Sequence, residues 1–308
     1  MQRGISVRLM ALVMLAVCSL WAADQPERKV DPTFLHRYIP DVQPKAMDVT
    51  TDTCQYKPLF GAGDSEASAP RGVARFGEIT VAAGGKCNSV SYPAEEQAYV
   101  IMEGDGILHY GDETAPVKKH DFMYLPANIR HGISNSSGGP VRLFVMGFKI
   151  PRESAQDGAA RSVVRESRES APPPKLTIAN IDEIKKQVVG GHPDSVVYQL
   201  MMGDTNSKRD RIAAGHVLTS LFRMEFQPGG TNFPHHHDAE EEIYVLIDGT
   251  GEMVAGSGMD GIEGRFPAKP GDAYFFRLNC TVGFYSSEQG PAHILAVRSL
   301  YPRGRRAP

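Results

Sequence analysis

One pattern in this 308-residue chain is written twice. Glu95–Gly106 (EEQAYVIMEGDG) matches Glu240–Gly251 (EEEIYVLIDGTG) at a fixed offset of 145, and His120–Asn135 matches Gly271–Ser286 at an offset of 151. The stretches GGPVRLFV and QGPAHILA keep the second offset. The six extra residues fall around GSGMDGIEG in the second copy, a Gly-rich hairpin loop where insertion is cheapest. Such self-similarity implies two copies of one fold rather than a single large domain. Each copy is a series of short apolar stretches punctuated by Gly and Pro, the pattern of strands and turns. The expected fold class is therefore all-β, with two tandem antiparallel barrels or sandwiches over 51–150 and 195–303. Residues 151–194 between them read as a flexible linker, rich in charge, Ser and Pro. One short helix is expected there over Ile181–Val188, capped by Asn180.

The ends read differently. Met1–Ala23 has the parts of a secretory signal: Arg3 and Arg8, an apolar run over Leu9–Leu20, and small residues at Ala22 and Ala23. That run falls short of the roughly 20 apolar residues a membrane span needs. It predicts an exported protein, periplasmic or secreted, with no transmembrane anchor. Leu15–Cys18 resembles a lipoprotein box, but Val17 stands where a small residue is expected. Residues 24–50 read as a lead-in arm and 304–308 as a tail. Loss of the leader would take the formal net charge from −3 to −5 and leave Cys54, Cys87 and Cys280. In an oxidising compartment Cys54 and Cys87, which share a copy, could pair and leave Cys280 free. Sequence alone does not fix that connectivity. The balance of 33 basic against 36 acidic residues excludes a nucleic-acid binder driven by bulk charge. With no Cys-x-x-Cys present, a zinc ribbon is excluded too.

Only the second copy carries an obvious donor set. Gly229 is followed by His235, His236 and His237, then by Glu242 and Gly249. On a strand His235 and His237 share a face while His236 points away. A turn through Asp238–Glu241 would return Glu242 to the same interior. Two imidazoles and one carboxylate converging there suit one divalent metal ion, Fe, Mn, Zn, Ni or Cu. Glu240 and Glu241, in that turn, read as solvated.

This pattern resembles the cupin family, whose first motif is Gly-x5-His-x-His-x4-Glu-x6-Gly and whose second is Gly-x5-Pro-x-Gly-x2-His-x3-Asn. The resemblance implies small antiparallel jelly-roll barrels (the double-stranded β-helix), duplicated as a bicupin, with a metal or ligand inside. Gly229, His235, His237, Glu242 and Gly249 complete the first motif. In the second motif, however, Val282 replaces the fourth ligand, and valine cannot bind a metal. The first copy is the reverse: it keeps Pro126, His131 and Asn135 but has Val90, Tyr92 and Gln97 at the first-motif ligand positions. One metal per chain is therefore expected, held by His235, His237 and Glu242, with His131 a packing residue. Asn279, Cys280, His216 and His293 are weaker candidates for a further ligand. Arg277, at the place of the second-motif proline, is a candidate for fixing a carboxylate or enolate.

Two functions fit. The first is a metal-dependent enzyme on a small oxygen-rich molecule, dioxygenase-like ahead of hydrolysis, isomerisation or decarboxylation. The metal would be its reactive centre, with packing or homodimer contacts left to the first barrel. The second is an exported protein that binds a sugar, small acid or metal without turnover.

Overall fold

Ala98–Ile101 and Ile243–Leu246 are each apolar at four consecutive positions, so a strand at either place must be covered on both faces. The computed structural model, which describes residues 33–151, 175–257 and 262–302, shows what covers them. Tyr99 and Ile101 point into the first copy's core beside Tyr56 and Val145. Tyr244 and Leu246 fill the second copy's core with Phe226 and Phe284. Ala98, Val100, Ile243 and Val245 meet in a third cluster that joins the two copies.

Among the described residues β1 (Phe34–Tyr38) comes first. The first copy then supplies β2 (Cys54–Gly61), β3 (Val73–Val81), β4 (Glu95–Glu103), β5 (Asp105–Tyr110), β6 (Glu113–Lys118), β7 (Asp121–Leu125), β8 (His131–Ser134) and β9 (Val141–Lys149). After β10 (Ile178–Asn180) the second supplies β11 (Val196–Asp204), β12 (Ile212–Gly215), β13 (Leu218–Phe226), β14 (Glu240–Asp248), β15 (Gly251–Ser257), β16 (Ile262–Ala268), β17 (Asp272–Phe276), β18 (Cys280–Ser286) and β19 (Ala292–Leu300). Each copy closes a large sheet against a three-stranded one. The orders are β10-β7-β4-β9-β3-β2 with β6-β5-β8, and β1-β17-β14-β19-β13-β11-β12 with β16-β15-β18.

The strands outside the repeats tie the halves together. β1, from the lead-in arm, pairs with β17 of the second barrel, Phe34 opposite Phe276. β10, from between the copies, pairs with β7 of the first barrel, Ile178 opposite Met123. The helix expected over Ile181–Val188 is not formed; Ile181–Glu183 makes a single 3-10 turn. Asn180 does cap it, accepting from the Asp182 N–H. The turn stops there because Gln199 Nε2 donates to the carbonyls of Ile181 and Ile184, which a longer helix would need for itself. Gln187 then bridges to Tyr198 as extended chain. Cys54 and Cys87 form a disulfide and Cys280 is free and buried. The expected leader, most of the linker and the tail lie outside the described residues. No helix among the described residues is long and apolar enough to cross a membrane.

Two buried carboxylates lock the barrels to each other. Glu96 accepts from the backbone N–H of His216 at 2.9 Å, Val217 at 2.7 Å and Leu218 at 2.6 Å. Glu241 accepts from Arg71 at 2.8 Å, Gly72 at 2.7 Å and Val73 at 3.4 Å. Each glutamate thus fills a nest of consecutive amides on the other copy, which binds an anion well. The solvated turn position expected for Glu241 is therefore wrong: it is 1% exposed. Burial raises its carboxyl above the ordinary range even with three amides opposing that shift.

Glu96→Ala would leave three buried N–H groups without an acceptor, a loss of about 3 kcal/mol or more. Thermal unfolding followed by circular dichroism should show a lowered midpoint, with a much smaller drop for exposed Glu103→Ala.

Candidate metal centre and its cavity

The segment before β14 sets the first two donors by strand alternation. His235 and His237 are half-buried on one face and His236 is exposed on the other. His235 is held through its backbone, its N–H donating to the Val282 carbonyl at 2.9 Å and its carbonyl accepting from Val282 at 2.8 Å. Its Nδ1 lies 2.8 Å from the Phe233 carbonyl. A carbonyl only accepts, so Nδ1 carries the proton and Nε2 keeps its lone pair for the interior. Burial holds the His235 imidazole below its usual value, favouring that neutral, donor-ready form.

Glu242 is the third residue of β14 and is 2% exposed. Donor atoms of His235, His237 and Glu242 lie within 4.8 Å of one another. His237 Nε2 is 3.2 Å from Glu242 Oε2, but the pair lacks hydrogen-bond alignment, and both atoms are buried without a hydrogen-bond partner. Burial alone would raise the Glu242 carboxyl. The neighbouring His237, Arg298 and His235 outweigh it and hold the group below its ordinary range, ionised. Two buried, unpartnered polar atoms this close are costly unless something bridges them. The donor set fits a divalent ion.

These residues line a small cavity of about 30 Å³, with His192, Tyr198, Ser220, Tyr244 and Arg298 among its walls. Tyr244 OH accepts from Asn232 Nδ2 at 3.1 Å, which orients the ring beside the donors. Arg298 is opposite Glu242 in the β14–β19 ladder, with its Nε 3.8 Å from Glu242 Oε1 and Nη1 3.4 Å from Glu240 Oε2. Arg277 stands just past β17, half-buried, its N–H donating to the Thr33 carbonyl, and it is not among the walls of this cavity. Val282 packs in the core, 0% exposed. None of the weaker ligand candidates is on those walls. His293 is engaged by Asp248 at 2.7 Å and Glu225 at 3.0 Å, and the backbone of His216 serves Glu96. Cys280 is buried, and burial pushes its thiol up to about 11, as expected for packing. His192, Tyr198, Ser220 and Arg298 carry no signal in the linear motif. Arg298 could have been found only from strand pairing, through its place opposite Glu242.

The first barrel keeps the same frame with different contents. Val90 bridges His131 where His235 bridges Val282, so histidine and valine have changed places across one cross-strand contact. Gln97 stands where Glu242 does, and His131 shares a hydrogen bond of 3.0 Å with its amide. His131 Nδ1 is 2.9 Å from the Ile129 carbonyl. With a single imidazole and an amide in place of the carboxylate, this interior lacks the second barrel's donor set.

Both barrels are cupin barrels. Residues 77–147 and 222–298, one segment in each copy, match the Cupin domain family. Among curated relatives, an uncharacterized protein of Methanocaldococcus jannaschii is 30% identical over 71 residues; the match covers 23% of this chain and 57% of that protein. The chain thus spans little more than half of that relative. Solved structures resemble nearly the whole chain. A putative glyoxylate-induced protein of Pseudomonas aeruginosa superposes with a TM-score of 0.65 at 14% identity, covering 92% of this chain and 96% of that one. Protein Ylba from E. coli gives 0.63 at 12% identity, over 94% and 99%. A Bacillus subtilis oxalate decarboxylase variant gives 0.61 at 14%, over 91% and 81%; another structure of that enzyme concerns its Mn(II) centres. At such identities the likeness is one of fold.

Burial holds His131 below the usual histidine value of 6.5. The unfolded chain therefore takes up this proton more readily than the folded one, and stability is lost as the pH falls from about 6.5 toward the lowered value. Melting temperatures across pH 7.5 to 4.5 should fall more steeply on the acid side for wild type than for His131→Gln.

Proposed function

We propose that the chain is an exported bicupin metalloenzyme with one divalent ion in its second barrel. The reading rests on one observation: His237 Nε2 and Glu242 Oε2 are buried, 3.2 Å apart and without hydrogen-bond partners, inside a cavity that His235 shares. His235, His237 and Glu242 would hold the ion. It would supply a Lewis-acid centre with open coordination positions and, if it is iron, redox chemistry toward dioxygen. The protein's own part is to keep His235 neutral through Phe233, to keep Glu242 ionised beside His237 and Arg298, and to exclude bulk water with Tyr198, Phe222 and Tyr244. Dioxygenase-like chemistry on a small oxygen-rich molecule stands first, with decarboxylation, hydrolysis or isomerisation behind it. Oxalate decarboxylase, a structural neighbour, has Mn(II) centres, so manganese belongs in the metal panel. The Cys54–Cys87 disulfide suits an oxidising, exported setting. Arg277 would act, if at all, from outside the cavity, whereas Arg298 is positioned within it. Val282, which supplies no fourth ligand, favours the second reading, a binding protein that does not turn its ligand over.

Elemental analysis of protein expressed with Mn, Fe, Zn, Ni and Cu should find about one ion per chain, falling below about 0.1 in His235→Ala and His237→Ala. A wild-type content as low as that would remove the metalloenzyme reading. In the metal-loaded protein, an oxygen electrode with diphenols, keto acids and small amides separates the oxygenase from the binding protein: uptake supports the first, and its absence with all three classes favours the second.

A further inference from the structure

Both barrels place one arginine at the same cross-strand pair, from opposite strands. In the first, Arg75 on β3 faces Gly147 on β9; in the second, Ser220 on β13 faces Arg298 on β19. The surroundings of the two guanidinium groups are different.

Arg75 is fully engaged. Its Nε donates to Glu95 at 3.0 Å and its Nη2 to the same carboxylate at 3.3 Å. Nη1 donates to Tyr92 OH at 2.9 Å and to Asp48 Oδ1 at 3.2 Å. Tyr92 OH in turn donates to Asp48 Oδ2 at 2.8 Å. A carboxylate from the lead-in arm thus sits on an arginine and a tyrosine in the first barrel.

The second barrel keeps the arginine but has His237 at the place of Tyr92 and no carboxylate at the place of Asp48. Lys45 N–H donates to the Tyr56 carbonyl at 2.8 Å, and Gln187 N–H donates to the Tyr198 carbonyl at 3.0 Å. Counting three residues on from these equivalent contacts, the position of Asp48 falls on Gly190. Gly190 has no carboxylate, and a Cβ built there would meet nothing within 4 Å. Arg298 Nε, Tyr198 OH, Ser220 Oγ and His192 Nδ1 are all buried with no hydrogen-bond partner, and all four residues line the cavity of the metal donors. Tyr56 OH, the counterpart of Tyr198 OH, is unpartnered in the first barrel too, so it is Arg298 Nε, Ser220 Oγ and His192 Nδ1 that call for a polar occupant here. The charges call for an anion. A divalent ion with Arg298 and Arg209, set against Glu240, Glu242 and Asp210, the partner of Arg209, leaves one net positive charge around that space.

We propose that the second cavity binds a small carboxylate, held by Arg298, Tyr198 and Ser220 in the role that Asp48 fills for Arg75 in the first barrel. This rests on the metal reading for the charge count, and on the orphaned atoms independently of it. Arg298 is then a specificity-determining residue, and the ligand is a short acid, small enough for a cavity this confined.

Calorimetric titration of the full chain with acetate, malonate and the uncharged acetamide tests this, with metal content measured on every sample. Wild-type protein should bind acetate or malonate and not acetamide. Arg298→Met should weaken carboxylate binding at least about tenfold. Gly190→Asp, which puts a carboxylate at the position that corresponds to Asp48, should weaken binding of added acid at least about tenfold while keeping the metal. Since Gly190→Asp leaves the ladder intact, it remains decisive if Arg298→Met fails to fold. Equal binding of acetamide, absence of carboxylate binding to wild type, or undiminished carboxylate binding in metal-replete Arg298→Met or Gly190→Asp would overturn the proposal. A wild-type chain without metal that still binds acetate through Arg298 would sink the metal reading and keep this one.

Discussion

The exchange of Glu96 and Glu241 between the barrels is the contact on which the rest of the structure depends. Each carboxylate is buried in three consecutive amides of the other copy, so neither barrel can shift without leaving three N–H donors without their acceptor. Strand alternation carries that constraint into the chemistry. On β14 Glu241 points out to the neighbouring barrel and Glu242, the next residue, points into its own. A register slip of one residue would send the docking carboxylate into the core and the metal donor to the interface. The clamp between barrels therefore also fixes the site.

Two copies of one frame have been furnished for different work. At the bridge shared by both, histidine and valine are exchanged, and at one cross-strand pair of the large sheet arginine changes strands. The first barrel links Asp48, Tyr92, Arg75, Glu95, Gln97 and His131 in one hydrogen-bonded chain and leaves only Tyr56 OH buried and unpartnered among its described side chains. The second leaves donors and acceptors unpaired around a cavity. A satisfied polar core stabilises, while an unsatisfied one costs free energy unless a ligand completes it. Support and reception are thereby divided between the halves.

What was legible beforehand followed periodicity. The offsets of 145 and 151 reveal the duplication, and the Gly229 to Gly249 spacing singles out His235, His237 and Glu242, which the fold brings within 4.8 Å. Alternation also places His236 outside. What was not legible depends on partners distant in sequence. Arg298 faces Glu242 only through the β14–β19 ladder, His192 comes from a loop before the barrel, and the burial of Glu241 needs the other copy in place. Arg277 was the visible arginine because it stands inside the motif; Arg298 stands twelve residues past Ser286, the last motif position. The expected helix after Asn180 failed for the same reason, since Gln199 of the second barrel takes its carbonyls.

The central claim is that one barrel holds the ion and the other does not. Anomalous diffraction at the manganese edge from crystals of the manganese-loaded chain measures it directly. A single peak enclosed by His235, His237 and Glu242, with none beside His131 and Gln97, is the predicted result. A peak in the first barrel, or none in the second with manganese bound to the protein, would contradict it.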